Sequence, residues 1–398
     1  MPFQISCWRA FAWLMLCCSA TLVSADEIKL IGTLSIPGDD VDLSQKVDQL
    51  DGKIPHNQFG GISAIAYTGQ GNRYLLLPDR GPMDGAVPYH CRFHEVQLDV
   101  NPQSEDPFTY ELAATHTLTN EQQQPLHGSS AAFDPKVPAR SLRFDPEGVR
   151  TGKDGSVFIA DEYGPHLMQF SSEGRLLKRL SVPLHITIRQ PGNSKEAEHQ
   201  ANKTGRQTNR GFEGLAIDAD AGRLYAVLQG PLLQDQPFDD DGDRLGINVR
   251  IIEFEFESGS TREFVYPLEE PSYGISEIQL TGPGRFLVLE RDSQPGAKAK
   301  FKRLYEIDLA DATDVSHIKS LPAAKLPDGV SAVSKRMVLD FLDARYGLAG
   351  SQFPEKLEGI AFGPDLPDGR RLLLVVSDND FVAANPTRIY AFGIDARE

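Results

Sequence analysis

From residue 27 onward the chain is a succession of short apolar runs, each closed by a polar or Gly-rich turn. One unit sets the pattern. Asn209-Arg-Gly-Phe-Glu213-Gly214-Leu-Ala-Ile-Asp218 is followed by Gly222-Arg-Leu-Tyr-Ala-Val-Leu-Gln229-Gly230. It has a polar start, a Glu-Gly step, a short apolar strand, a turn, a second apolar strand and a polar end. The unit recurs as Asp145-Pro-Glu147-Gly148 with Gly155 to Glu162, and as Leu357-Glu358-Gly359 with Arg371 to Asp380. Two weaker copies keep a Gly and lose the Glu before it: Phe59-Gly-Gly61-Ile-Ser with Tyr74 to Arg80, and Tyr273-Gly274-Ile-Ser-Glu277 with Phe286 to Asp292. Five copies at spacings of roughly 60 to 87 residues are the mark of a repeat architecture.

Each copy extends into further strands by its alternation and turn residues. The first predicts strands near 61–67, 73–78, 91–98 and 109–118. The second predicts 148–151, 156–160, 166–170 and 175–182, and the third 214–218, 223–228, 249–256 and 261–266. The fourth predicts 274–280, 285–290, 301–308 and 315–319. The fifth predicts only 359–363, 371–376 and 387–394. Four-stranded units in series predict an all-β fold, a β-propeller of five blades. A sixth, degenerate blade hidden in an insertion is the alternative. The fifth unit lacks its outer strand, and the strand predicted at 28–36 fills that place and closes the ring, which removes exposed sheet edges. Insertions interrupt the units at 120–146, 189–209, 230–247 and 321–356. In the last of these, Val330, Val333, Met337, Val338, Phe341 and Leu342 fall at helical spacing and predict a helix over 330–346.

Residues 1–25 stand outside this pattern. Arg9, an apolar run from Ala10 to Val23 and the small residues Ser24-Ala25 read as a secretory signal peptide cleaved after Ala25. The run is shorter than the roughly 20 residues of a spanning helix, which argues against a membrane anchor. Leu16 before Cys17 is too bulky for a lipoprotein site. Residues 26–398 are then a single propeller domain, expected in the periplasm or outside the cell. Cys7, Cys17 and Cys18 leave with the signal, so Cys91 remains alone, with no internal disulfide. The formal net charge is −16. Without Arg9 the balance is 39 against 56, or −17. That acidity argues against nucleic acid and anionic membranes as partners and agrees with divalent cations. A monomer acting on a small ester or phosphoester is expected.

The candidate chemistry follows from the repeat. In an antiparallel blade the start of the inner strand and the end of the second strand lie on one face. Glu147, Glu213 and Glu358 stand at strand starts. Asp79-Arg80, Asp161-Glu162, Gln229, Glu290-Arg291-Asp292 and Asp378-Asn379-Asp380 stand at strand ends. They are expected to converge at one mouth of the central channel. Clustered carboxylates raise one another's pKa values, and a cation relieves the cost. Oxygen-only donors suit calcium. Glu147, Asp161, Glu213 and Glu358 are the expected metal ligands. Glu162 or Asp378 is the expected general base, and Arg80 and Arg291 the expected oxyanion-binding groups. For any one of these carboxylates, ordinary turn chemistry is the competing account.

The acidic run Asp239 to Asp243 has the look of a calcium loop without the downstream Glu of a helix-loop-helix site. No Gly-x-Ser-x-Gly, Cys-x-x-Cys, His-Glu-x-x-His or phosphate-cradling Gly-Lys motif is present. Cys91 is expected as a small core residue. His166 is a further candidate at the channel mouth.

As an ordered set, Phe-Gly-Gly-Ile-Ser, Asp-Pro-Glu-Gly-Val, Val-Phe-Ile-Ala-Asp-Glu-Tyr-Gly-Pro, Asn-Arg-Gly-Phe-Glu-Gly-Leu-Ala and Leu-Glu-Gly-Ile-Ala-Phe resemble the phytase-like family of exported bacterial proteins, the esterase-like-activity-of-phytase domain, over roughly residues 55–392. The resemblance implies a propeller, export, and hydrolysis of phosphoesters or esters. It brings no assigned catalytic residues. Similar propellers with Glu-Gly at inner strand starts include calcium-dependent lactonases, in which such a Glu binds the metal. The leading expectation is a calcium-dependent phosphoester hydrolase, in which the metal polarises the scissile group and lowers the pKa of a water. A calcium-dependent lactonase or carboxylesterase, and a non-catalytic ligand- or protein-binding propeller, are the alternatives.

Overall fold

The computed structural model describes Met1 and residues 28–133, 141–192 and 194–395. The expected signal peptide therefore lies outside the described residues. Five four-stranded antiparallel sheets are present. Blade A holds β2 (Ile62–Tyr67), β3 (Arg73–Pro78), β4 (Arg92–Val100) and β5 (Phe108–Thr117). Blade B holds β6 (Pro146–Thr151), β7 (Val157–Asp161), β8 (His166–Phe170) and β9 (Leu176–Leu180). Blade C holds β10 (Phe212–Asp218), β11 (Arg223–Leu228), β12 (Asn248–Glu255) and β13 (Thr261–Pro267). Blade D holds β14 (Gly274–Gly282), β15 (Arg285–Arg291), β16 (Lys302–Asp308) and β17 (Ser334–Asp340). Blade E holds β18 (Lys356–Phe362), β19 (Arg371–Asp378), β20 (Thr387–Ile394) and, as its outermost strand, β1 (Ile28–Ile36).

The inner strands β2, β6, β10, β14 and β18 touch in turn, and β18 returns to β2. The ring thus closes at five blades, and the N-terminal strand completes the last one, pairing with β20 from Ile28↔Ile394 to Ile36↔Thr387. The inner and second strands are nearly continuous apolar runs because both faces of each are covered by neighbouring blades. Cys91 is fully buried in the core between blades A and B, with its thiol donating to the Phe144 carbonyl.

One element departs from expectation. The helix predicted over 330–346 is absent; its centre is strand β17, and no strand forms at 315–319. Leu339 and Phe341 are buried two residues apart against blade E, as on one face of a strand, whereas Val333 packs on the other face against blade C, because the register slips between Met337 and Leu339. Buried residues on two faces of a bulged strand thus mimic a helical period, and the sequence fits both a helix and a strand. The open edge of β16 decides between them, because only a strand gives its backbone groups partners. Val315 and Leu321 instead pack against Val265 as part of a long loop.

The Glu-Gly step has a packing reason. A Cβ on Gly148 would lie 2.8 Å from the Glu213 carbonyl oxygen of blade C, and one on Gly359 would lie 2.7 Å from the Ile65 nitrogen of blade A. A Cβ on Gly214 would lie 2.6 Å from the Ile278 nitrogen of blade D. Inner strands meet backbone to backbone here, and backbone cannot give way. Gly214→Ala is expected to cost about 1–3 kcal/mol, read as a lower melting temperature by circular dichroism. An unchanged melt would show that the blades can slide apart without cost.

Candidate functional site

In every blade the register between inner and second strand slips at the same place. The slips fall between Ile62 and Ala64, Pro146 and Gly148, Phe212 and Gly214, Ile275 and Glu277, and Leu357 and Ile360. These are β-bulges, which re-aim the extra side chain. The re-aimed residues are Ser63, Glu147, Glu213, Ser276 and Glu358, and all five line one axial cavity of about 130 Å³. The two weak repeats thus carry Ser where the others carry Glu. Their Gly61 and Gly274 stand two residues before that position and do not match Gly148, Gly214 and Gly359.

The ends of the second strands complete the wall with Asp79, Arg80, Glu162, Gln229 and Arg291. The segments leading into the inner strands add Asn209, Arg210, Glu355 and Lys356. The wall carries six carboxylates (Asp79, Glu147, Glu162, Glu213, Glu355, Glu358) against four cations (Arg80, Arg210, Arg291, Lys356). That excess favours a bound cation over a free anion.

Three of the four cations are committed to acids. Arg80 pairs with Asp145, with Glu162 at 3.3 Å and with Asp84 at 2.8 Å. Arg291 holds Glu358 Oε1 at 2.6 Å and Ser276 Oγ at 2.8 Å. Lys356 holds Asp378 Oδ2 at 2.9 Å and also meets Asp380. Gln229 donates its amide to Glu213.

Of the expected metal ligands, Glu147, Glu213 and Glu358 line the cavity and Asp161 does not. Asp161 and Glu162 are adjacent at a strand end, so their side chains part. Asp161 Oδ1 accepts the Asp145 and Tyr163 amides at 2.9 and 3.3 Å, and its Oδ2 accepts the Gly164 amide at 2.8 Å, while Glu162 faces the cavity. Of the expected catalytic groups, Glu162, Arg80 and Arg291 line the cavity. Asp378 is buried beside it and meets it through Lys356. Glu290 turns outward to Tyr266 and Lys335, and Asp292 to Lys302. His166 is exposed and lines a neighbouring cavity with Asp161. Asp239 to Asp243 form an exposed turn in which Asp239 Oδ1 accepts the Asp241 and Asp243 amides.

Asp145, Asn209, Arg210 and Lys356 were not singled out from the sequence. Asp145 and Lys356 stand two residues before Glu147 and Glu358, and Asn209-Arg210 open the clearest repeat. The shared offset from a strand-start Glu was the available signal.

Asp145, Glu147 and Glu162, all buried, bring one carboxylate oxygen each within 4.8 Å of one another. Among the described residues they form the one such group of His, Cys, Asp and Glu side chains. Two further oxygens of the cavity wall have no partner: Glu358 Oε2, on a side chain 5% exposed, and Asn209 Oδ1. Asn209 also sits at φ 56°, a left-handed backbone that Asn tolerates better than most residues. Burial pushes Glu147 and Glu213 well above the ordinary carboxylate range. Glu213 adds to the effect on Glu147, and Glu162 and Glu358 to that on Glu213. Burial, with Asp145, raises Glu162 to about 7. An all-oxygen, acid-rich set with orphaned acceptors fits a hard divalent cation.

A buried ion pair joins the inner strands. Arg150, three residues along β6 from Glu147, donates to the carbonyls of Ile65 on β2 (3.2 Å), Val149 (2.6 Å) and Ile278 on β14 (2.8 Å). It pairs with Glu277 at 3.1 Å, and Glu277 accepts the Leu215 amide of β10 at 2.9 Å. This buried pair ties four of the five inner strands together across the axis.

Residues 57–381 match the phytase-like family, described as esterase-like activity of phytase. An uncharacterised secreted protein of Arthroderma benhamiae is 28% identical over 409 residues, with 78% of each chain covered. Among solved structures, the PQQ-bound aldose sugar dehydrogenase of Streptomyces coelicolor aligns with a TM-score of 0.38 and 13% identity, covering 93% of this chain and 98% of that one. A gluconolactonase of Xanthomonas campestris aligns with a TM-score of 0.36 and 10% identity, covering 91% and 98%.

Proposed function

The chain belongs to the phytase-like family, and on that premise we propose that it is an exported, cation-dependent hydrolase of phosphate esters. The observation that carries the reading is the group Asp145, Glu147 and Glu162, buried and mutually within 4.8 Å, of which Glu147 and Glu162 line a cavity that also presents unpartnered oxygens and arginine and Asp145 lies behind its wall. Those three carboxylates would hold the cation, and calcium suits their oxygen donors. When bound, such an ion supplies Lewis-acid polarisation of the ester. Arg80 positions Asp145 and Glu162 by pairing with both. In this reading Glu213, held by Gln229 and outside the group of three, moves a proton at the reacting ester oxygen. Small-molecule pockets usually span roughly 300–1,000 Å³, so about 130 Å³ admits only the reacting end of a substrate. Export is supported by the secreted relative and by the signal-like first 25 residues. No helix among the described residues is long and apolar enough to cross a membrane.

The acid-rich lining favours a second substrate class, uncharged esters or lactones, since it repels anions until a cation is bound. Calcium titration followed by thermal melting tests the shared premise. Calcium is expected to raise the melting temperature of the wild type and to have little effect on Glu147→Gln. Equal behaviour of the two proteins would remove the cation from the reading. A panel of a phosphate monoester, its acetate counterpart and a lactone then separates the two classes.

A further inference from the structure

Arg210 differs from every other cation in the cavity. Arg80, Arg291 and Lys356 are paired with carboxylates in or beside the wall. No carboxylate lies within ion-pair distance of Arg210 among the described residues. The contact the structure gives its guanidinium is Nη1 to the Tyr273 carbonyl, at 3.1 Å. The side chain is nine-tenths buried, at 8% exposure, and lines the cavity. A guanidinium has five N–H donors in a planar fork, and one carbonyl occupies one of them.

The fold holds the group in this position. The Arg210 amide donates to the Gln207 carbonyl at 3.1 Å, and Gln207 is in turn fixed by the Pro231 carbonyl at 2.7 Å. The guanidinium lies against Gly230, where a Cβ would stand 2.8 Å from Arg210 Nη1. Burying an arginine without a counter-charge is unfavourable, and burial here lowers its pKa to about 10. A ligand that brings negative charge offsets that cost.

Building on the proposed function, we infer that Arg210 is the specificity-determining residue of the cavity, binding two non-bridging oxygens of a terminal phosphate monoester. The planar fork matches two oxygens of a tetrahedral anion. A neutral ester or lactone offers no charge to it. A phosphodiester carries a second alcohol where the small cavity has room for one compact group. The acid excess of the wall makes this recognition cooperative: a cation in the group of three removes repulsion toward the phosphate, and by linkage phosphate tightens the cation.

The test is titration of inorganic phosphate into the whole protein by calorimetry, with and without calcium, alongside calcium-dependent melting. The variants are Arg210→Met and Gly230→Ala, the second displacing the guanidinium without removing it. Both are expected to keep the calcium-induced rise in melting temperature and to bind phosphate about 10- to 100-fold more weakly, the range for loss of a charge-assisted hydrogen bond. KM for a phosphate monoester is expected to rise more than KM for the matching acetate ester. Retained calcium binding with unaltered phosphate affinity in Arg210→Met would overturn the inference and leave the hydrolase reading standing. If the wild type takes up no calcium, the hydrolase reading falls. The cation-free titration then decides the subsite: phosphate bound by the wild type and lost in Arg210→Met supports it, and phosphate bound by neither overturns it.

Discussion

Arg150→Ala is expected to destabilise the protein by about 3–5 kcal/mol, the usual cost of removing one partner of a buried ion pair. Arg150 is 4% exposed and Glu277 is fully buried. Burial pushes the Glu277 carboxyl up to about 7, and Arg150 is the charge that opposes this rise. Without the guanidinium, Glu277 must take up a proton or remain charged in a closed interior. The carbonyls of Ile65, Val149 and Ile278 also lose their donor, and each unmade buried hydrogen bond is costly. A double variant, Arg150→Met with Glu277→Gln, is expected to recover much of the loss, because it removes the stranded charge and refills the volume. Chemical denaturation of the two single variants and the double would measure this coupling. A cost below about 1 kcal/mol for Arg150→Ala would mean that inner-strand packing alone holds the ring.

The second large effect is of pH and cation together. Free of cation, the protein is expected to lose stability as pH rises from about 4.5 to about 7. Unfolded glutamates ionise near pH 4.3, whereas Glu162 titrates at about 7 in the fold and Glu147 and Glu213 are raised well above their ordinary value. Across that window these three carboxyls bind more protons folded than unfolded, so their contribution to stability falls as pH rises, while His90 and His94, which burial lowers to about 3 and about 4, oppose it in part. Asp378 works in the opposite sense. Burial would raise it, but Lys356 holds it below its usual value, so its contribution is lost only as pH falls through the acid range. Calcium requires the deprotonated carboxylates, so its stabilisation is expected to grow with pH. At a hundredfold excess over Kd it would reach about 2.7 kcal/mol. Turnover of a phosphate monoester is expected to drop by about a hundredfold or more on chelation, matching several kcal/mol of lost charge stabilisation. Melting curves near pH 5, 6 and 7.5, each with calcium and with chelator, would show the effect. A calcium shift of equal size at the lowest and highest pH would contradict the carboxylate assignment.

The blades were legible in the chain because strand period, turn residues and the Glu-Gly step are local properties, repeated often enough to reinforce one another. Closure by Ile28–Ile36 was legible too, from the missing fourth strand of the last unit. The convergence of Glu147, Glu213 and Glu358 followed from their equal place in the repeat. Two things were beyond a local reading. The first is which of two neighbouring side chains faces the axis: Glu162 does and Asp161 turns to three backbone amides, because alternation sends adjacent residues to opposite sides. The second is pairing between blades. Whether Arg80, Arg291 or Lys356 is free or neutralised depends on acids up to 82 residues away in the chain, and so does the contrast with Arg210. β17 shows the same limit, since an open strand edge decided between a helical and an extended period. Sequence alone determined the ring and the acidic face at one end of it, because both are written into every repeat. Tertiary structure alone decided which carboxylates come within 4.8 Å and which guanidinium stays unpaired, because those contacts join side chains that only the closed ring brings together.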